Sequence, residues 1–321
     1  MPADVTLTDE LIICTRNRPD DLARCLQALL ALLDDGGGPM AVHVVDSSTD
    51  SRSRDVVAAH QNRRDWSGRL RYTVSEPGLP LQRNVGIRAS GADIVHFIDD
   101  DAVPEPGYFR RIVQCFESEG SDLLGVCGQI TTLPPRRPGL LARLFLLDGP
   151  EGCVLRSGCN VLVFGATRRA PVQWLSGCSM SYRREVVLRE PCDESLQGYA
   201  LGEDVEWSTR IARGGRLMIE PAARIAHYES PAQRWSQARR IRTEIVHRRR
   251  RVAASVCGES RLAFWWSCAG QVMIHALKAV VYRRPAALRH AVWSVQGMWL
   301  AARDRPQPRP SGARQQGARR A

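Results

Sequence analysis

The chain has 321 residues, 45 Lys+Arg against 34 Asp+Glu, and a formal charge of +11. At 44% hydrophobic and 25% charged it is composed like a globular protein. That excludes a mostly disordered chain and leaves length for one large domain, or one with an appendage. The charge is unevenly placed: from Ala232 onward there are 19 basic and 3 acidic residues, a net of +16, while the first 231 residues carry −5. Lys278 is the only lysine. Arginine takes the place of lysine in the body as well as in the tail, so a bias in usage accounts for it. The ten cysteines include no CxxC pair and no zinc spacing, and Met1 to Glu10 is acidic without an apolar core. The expectation is a reducing, cytosolic setting.

Leu11-Ile12-Ile13-Cys14 reads as a buried strand running into the loop Thr15-Arg16-Asn17-Arg18-Pro19. Asp20 can cap a helix whose apolar face is Leu22, Leu26, Leu29, Leu30 and Leu33. Gly36-Gly37-Gly38-Pro39 stops it. Val42–Val45 is a second strand ending at Asp46, a helix follows from about Ser53, and Leu70–Val74 is a third strand. Ile94–Ile98 is a fourth, ending at Asp99-Asp100-Asp101. Strands alternating with helices predict an α/β fold with a mostly parallel, Rossmann-like sheet flanked by helices, whose carboxyl edge gathers the polar loops. From Leu123 onward a second half takes in Trp174–Tyr182, a helix bearing Glu203-Asp204 through about Ala212, and apolar runs at 216–219 and 225–227. The segment from about Leu140 to Phe164 is irregular, and Leu140–Leu147 reads as a core helix or a lid. Arg239–Arg251 is a basic helical stretch, and Leu262–Tyr282 and Ala286–Ala302 are two further apolar helices. Pro306–Ala321 has too little to pack and reads as disordered.

Three carboxylates at one strand end repel each other unless a cation compensates. Hard divalent ions take such oxygen ligands together with substrate phosphates; a solvated acidic turn is the other reading. Glu203-Asp204-Val205-Glu206 suits either an acidic first helical turn that complements the helix dipole or a catalytic carboxylate. Neither GxGxxG nor GxxxxGK[ST] is present, so dinucleotide and Walker-type phosphate loops are unsupported. Ser179, Ser181 and the scattered histidines give no triad order.

Thr15-Arg16-Asn17-Arg18, Asp46, the run Gly78-Leu79-Pro80-Leu81-Gln82-Arg83-Asn84-Val85-Gly86 and the acidic triplet resemble glycosyltransferase family 2. So do Trp174-Leu175-Ser176-Gly177-Cys178-Ser179-Met180 and Gly202-Glu203-Asp204-Val205-Glu206-Trp207. The order agrees over roughly residues 10 to 230. The resemblance implies a GT-A fold over 8–231, with a nucleotide-sugar half at about 8–130 and an acceptor half at about 131–231. It implies an inverting transfer of a hexosyl or deoxyhexosyl group from a nucleoside-diphosphate sugar to an acceptor hydroxyl, with a divalent cation (Mn2+ or Mg2+). By position, Thr15, Arg16, Arg18, Asp46, Arg83, Asn84, Asp99 and Asp100 would contact the donor, and Asp99, Asp101 and His227 the metal-bound diphosphate. Asp204 matches the general base, with Glu203 supporting it. Trp174, Gly177 and Trp207 are the acceptor-side residues, the two tryptophans as stacking surfaces or as core.

Residues 232–303 form a basic, amphipathic helical extension, followed by a tail at 304–321. In Leu262–Tyr282 the polar residues Ser267, Gln271, His275, Lys278 and Tyr282 recur on one stripe, which fits a helix lying in a membrane interface. Flanking arginines would attract anionic lipid. Packing on the enzyme or on a second subunit is the alternative. The resemblance favours a peripheral place at the inner face of the cell membrane and a glycan or lipid-linked acceptor. A different class, a nucleic-acid- or membrane-binding protein whose tail is the functional part, rests on Arg239–Arg251; the acidic body argues against specific nucleic acid.

Overall fold

A computed structural model describes residues 7–34, 37–66, 68–136, 139–196, 200–230, 235–254 and 258–304; the tail reading for 304–321 lies almost wholly outside them. Four strands, β1 (Asp9–Thr15), β2 (Ala41–Asp46), β3 (Leu70–Val74) and β4 (Ile94–Asp99), pair in parallel in the order β3-β2-β1-β4. They are joined by α1 (Pro19–Asp34), α2 (Arg52–Gln61) and α3 (Leu79–Ala89). In β1 the period of two sends Leu11 and Ile13 to the α1 side and Ile12 to the opposite core. Gly86 of α3 packs directly over Ile12, where a Cβ would approach Cγ2 to 2.5 Å. That contact explains a glycine inside a helix.

Beyond β4 come β5 (Ala102–Pro104), α4 (Tyr108–Ser118), β6 (Leu123–Ile130), α5 (Leu140–Leu144), β7 (Ala170–Val172), β8 (Met180–Arg183), α6 (Arg184–Arg189), α7 (Glu203–Ile211) and β9 (Arg216–His227). They continue the sheet as β4-β8-β6-β9-β5, with β7 on β9. This half is mixed: β8 is antiparallel to both neighbours, and β6 and β9 are parallel. The expected α/β sheet flanked by helices is therefore present, its parallel part confined to the first half and the β6–β9 pair. At the seam His96 sits between Ser181 Oγ (2.8 Å) and Asp9 Oδ2 (3.0 Å). All three are buried, so this Ser-His-Asp set locks strands together and is closed to substrate.

The extension is α8 (Gln237–Ala254), α9 (Arg261–Val281) and α10 (Pro285–Arg303). These helices share a small core of Ile245, Val252, Phe264, Cys268 and Ala301. The polar stripe of α9 divides: Ser267 is fully buried and His275 meets His290 of α10, whereas Lys278 and Tyr282 are exposed. Leu262, Trp266, Val280 and Val281 face outward. Leu140–Leu147 is not a core helix. Within it α5 has no buried residue, and it leans on α9 through Trp266 Nε1–H donating to Leu144 O at 2.9 Å.

Candidate active site

Strands β1 and β4 end side by side, with Cα partners Cys14 and Asp99, so the loop after β1 meets the acidic triplet. The three aspartates do different things. Asp100 is buried and accepts from Thr15 Oγ1 (2.7 Å) and Arg18 Nη1 (3.1 Å). Burial pushes it up to about 7 although Arg18 and Thr15 pull the other way. It therefore anchors the first loop, and Thr15 and Arg18 act on the triplet as well as lining the cleft. Asp101 accepts from the Ser230 backbone N–H at 2.7 Å. Burial opposes its ionisation, yet His227 and Ser230 overcome that and hold it at about 2. Burial likewise opposes protonation of His227, and the Asp101 carboxylate lifts it to about 11.

Asp99, Asp101 and His227 present ligand atoms within 4.8 Å of one another. His227 Nε2 lies 3.0 Å from Asp101 Oδ1 and 3.6 Å from Asp99 Oδ2. Asp101 Oδ1 is nevertheless buried without a hydrogen-bond donor in good geometry. Two carboxylates and an imidazole with an orphaned buried oxygen suit a divalent ion of the Mn2+ or Mg2+ type.

The metal trio lines a cleft of about 570 Å³ together with Arg16, Arg18, Arg83 and, from α7, Glu203 and Asp204. Arg83 and Glu203 form a buried ion pair that ties α3 to α7. Burial drives Glu203 up to about 7, with Arg83 opposing. Gly202 starts α7 in the left-handed region (φ 77°). Asp204, in the first turn, accepts from the Gly177 N–H at 3.1 Å, which fixes the segment Ser176–Cys178 against it.

A second cavity of about 540 Å³ shares Ser176, Leu201, Gly202 and Asp204 with the first. Its own walls include Trp174, Arg136, residues of the irregular 140–164 segment, and Glu244 and Arg251 of α8. Asp204 thus stands at the wall common to two cavities.

Several expected residues fall elsewhere. Asn84 is not at the cleft: its amide bonds Cys192 O (2.9 Å), Glu194 Oε1 (2.8 Å) and Cys192 N–H (2.9 Å). Asp46 is buried beside the cleft, its oxygens taken by Ser48 N–H (2.7 Å) and Tyr72 O–H (2.8 Å). Trp207 is core, 0% exposed, donating to Glu190 O at 2.7 Å and meeting Phe97 and Tyr182 edge to face or tilted; it cannot stack on an acceptor. Trp174 borders the second cavity but is buried, donating to Val161 O at 3.1 Å, and Gly177 borders only the first. The sequence reading missed Gln82, whose amide bonds Thr15 O (3.0 Å) and Val45 O (2.8 Å) and so joins the ends of β1 and β2. It also missed Arg251, hidden in an arginine run.

An acidic strand end on a Rossmann-like sheet, opposed by a carboxylate-bearing helix across a cleft, defines the GT-A fold. Residues 10–141 match the family model described as "Glycosyl transferase family 2", so this segment is similar to the domain of that family. GalNAc-T7, solved with UDP, GalNAc and Mn2+, superposes with a TM-score of 0.56 at 14% identity, over 87% of this chain and 57% of that one. This chain thus spans little more than half of GalNAc-T7. A mycobacterial protein superposes at 0.50 with 19% identity, over 80% and 76% of the two chains. The mannosyltransferase PcManGT from Pyrobaculum calidifontis, solved with GDP-Man and Mn2+, gives 0.49 with 17% identity over 94% and 79%. No curated protein sequence matches the chain.

Proposed function

We propose that the chain is an inverting, metal-dependent glycosyltransferase that moves a hexosyl or deoxyhexosyl group from a nucleoside-diphosphate sugar to an acceptor hydroxyl. The observation that carries this reading is Asp204 on the wall shared by the metal-lined cleft and the second cavity. The donor belongs in the first cavity, with Arg16, Arg18 and Arg83 near its anionic groups. The acceptor belongs in the second. Asp99, Asp101 and His227 would hold a divalent ion, whose charge stabilises the leaving diphosphate when it is bound. Asp204 takes the acceptor's hydroxyl proton as the oxygen attacks, and the Gly177 N–H keeps its carboxylate aimed. A base reached from the acceptor cavity supports a single displacement, hence inversion.

The extension supplies the proposed membrane contact. No described helix is long and apolar enough to cross a membrane. Leu262, Val280, Tyr282 and Leu288 are 84%, 78%, 67% and 57% exposed, with Arg261, Arg283, Arg284 and Arg289 among them. That composition supports peripheral docking on anionic lipid at the inner face of the cell membrane and a glycan or lipid-linked acceptor. The rest of the basic run is less available for lipid or nucleic acid: Arg248 is buried and Arg250 pairs with Asp304 at 2.8 Å.

The test is Asp204→Asn, assayed by nucleoside-diphosphate release from a panel of nucleotide sugars with glycan and lipid extracts. Turnover is expected to fall by about 10²- to 10⁴-fold with Mn2+-dependent nucleotide binding unchanged. Turnover within threefold of wild type would refute the base assignment.

A further inference from the structure

Among the described residues, one cation of the second cavity has no carboxylate in direct contact with it. Arg136 is paired with Asp148 and with Glu151 (3.0 Å). Arg251 reaches in from α8 without a carboxylate at ion-pair distance among the described residues. Its Nη1 lies 3.4 Å from Gly202 O, its Nη2 lies 3.1 Å from Gly158 O, and its Nε is buried with no acceptor. A guanidinium has five N–H donors, so two carbonyls leave much of its hydrogen-bonding capacity unused, and its charge is offset only at longer range, by Asp204 and Glu244. Holding such a group out of water is unfavourable unless an anion meets it. Burial weakens its hold on the proton; Asp204 and Glu244 oppose that, and Arg248 on the same helix adds to it.

We infer that Arg251 is the anion-recognising residue of the second cavity and that the acceptor is a sugar bearing a carboxylate, of the uronic-acid class. The inference rests on the reading of this cavity as the acceptor site. A carboxylate matches the planar guanidinium fork and its single charge. A phosphate dianion would confront Asp148, Glu244 and Asp204, which line the same space. The placement also serves the chemistry. Gly202, whose carbonyl Arg251 touches, directly precedes Glu203-Asp204, so a ring held at Arg251 by its carboxylate offers its hydroxyls to the base.

The test is direct binding to the full chain, by calorimetry without donor, of methyl uronosides (gluco, galacto and manno) and their neutral methyl glycosides. At least one uronoside is expected to bind about tenfold tighter than its neutral partner. In Arg251→Gln, which keeps N–H donors for the two carbonyls but no charge, the ratio falls to near one. Arg251→Lys keeps part of it. Thermal melts of both variants establish that they are folded. Four results overturn the inference: no uronoside binding, a ratio near one in the wild type, a ratio retained in Arg251→Gln, or tighter binding of methyl glucoside 6-phosphate. Mn2+-dependent binding of UDP and GDP is measured alongside. Its failure counts against the glycosyltransferase reading and leaves the uronoside result to stand or fall separately.

Discussion

Replacing Gly202 by alanine perturbs the junction on which catalysis is proposed to depend. Gly202 has φ 77°, and a Cβ built there overlaps Nη1 of Arg251. Two costs therefore combine. The left-handed backbone costs a non-glycine residue about 1–2 kcal/mol. Displacing the guanidinium also loses its hydrogen bonds to Gly202 O and Gly158 O, and bonds to a charged donor contribute about 1.5–3 kcal/mol each. The Gly202 bond is long at 3.4 Å, so an excess of about 2 kcal/mol over the backbone term is the working figure. Gly165 supplies the control: its φ is 74° and no atom lies within 4 Å of its built Cβ, so Gly165→Ala carries the backbone term alone. In thermal unfolding the gap between the two variants should be about 4 °C. In an Arg251→Ala background it should shrink to near zero, because nothing remains to displace. Equal destabilisation by the two alanines, or an unchanged gap without Arg251, would refute the coupling of α8 to α7.

The triplet should divide by role. Asp101→Ala should weaken Mn2+-dependent nucleotide binding at least tenfold in calorimetry, whereas Asp100→Asn, which loosens Thr15 and Arg18, should show first as a lower melting temperature. The Arg250–Asp304 pair gives a pH dependence. Its hydrogen bonds to Arg250 lower the Asp304 pKa in the folded chain, so its contribution is complete above the ordinary carboxylate range and lost as pH falls through and below it. As a partly exposed pair it contributes under about 1 kcal/mol, so Asp304→Asn should flatten the acid limb of the stability curve only slightly. A variant that steepens that limb would contradict the sign. Replacing Val280 and Val281 together by aspartate should cut pelleting with anionic vesicles several-fold without changing nucleotide binding; unchanged pelleting would remove α9 as the contact.

The first half of the fold was readable because buried strands and an amphipathic α1 leave clean periods of two and 3.6. The acidic triplet stood out for the same reason, three charges placed directly after an apolar strand. What remained hidden depends on direction around a helix. Arg83 and Asn84 are adjacent in one motif, but successive helical residues point about 100° apart, so Arg83 lines the cleft and Asn84 grips the 192–194 loop. Helix α7 buries Glu203, Glu206, Ser208 and Thr209 along with Trp207. Such a helix shows no apolar stripe from which to tell core from cleft. The first residue of the polar stripe of α9 misled in the opposite way. Ser267 bonds Phe264 O of its own helix at 2.7 Å, so it needs no water and can face inward.

The same helical arithmetic separates the four arginines of 248–251 and changes what the tail's charge means. Arg248 and Arg251, three apart, share the inner face of α8. There Arg248 reaches Cys159 Sγ (2.6 Å) and Cys268 Sγ (3.1 Å), while Arg251 reaches Gly158 O and Gly202 O. Gly158 must be glycine partly for this reason, since a Cβ would press on Val252 at 2.7 Å. The irregular segment that forms the second cavity is therefore held by the extension, and α5 continues the link: Ala142 lines the cavity while Leu144 O and Phe145 contact Trp266 of α9. Any surface that covers the outward apolar residues of α9 is thereby fixed in orientation to the cavity mouth. On this geometry, removing residues after 231 would do more than remove the proposed membrane contact. It would strip a wall from the proposed acceptor site, so loss of transfer in such a truncation says nothing about localisation unless nucleotide binding at the first cleft survives.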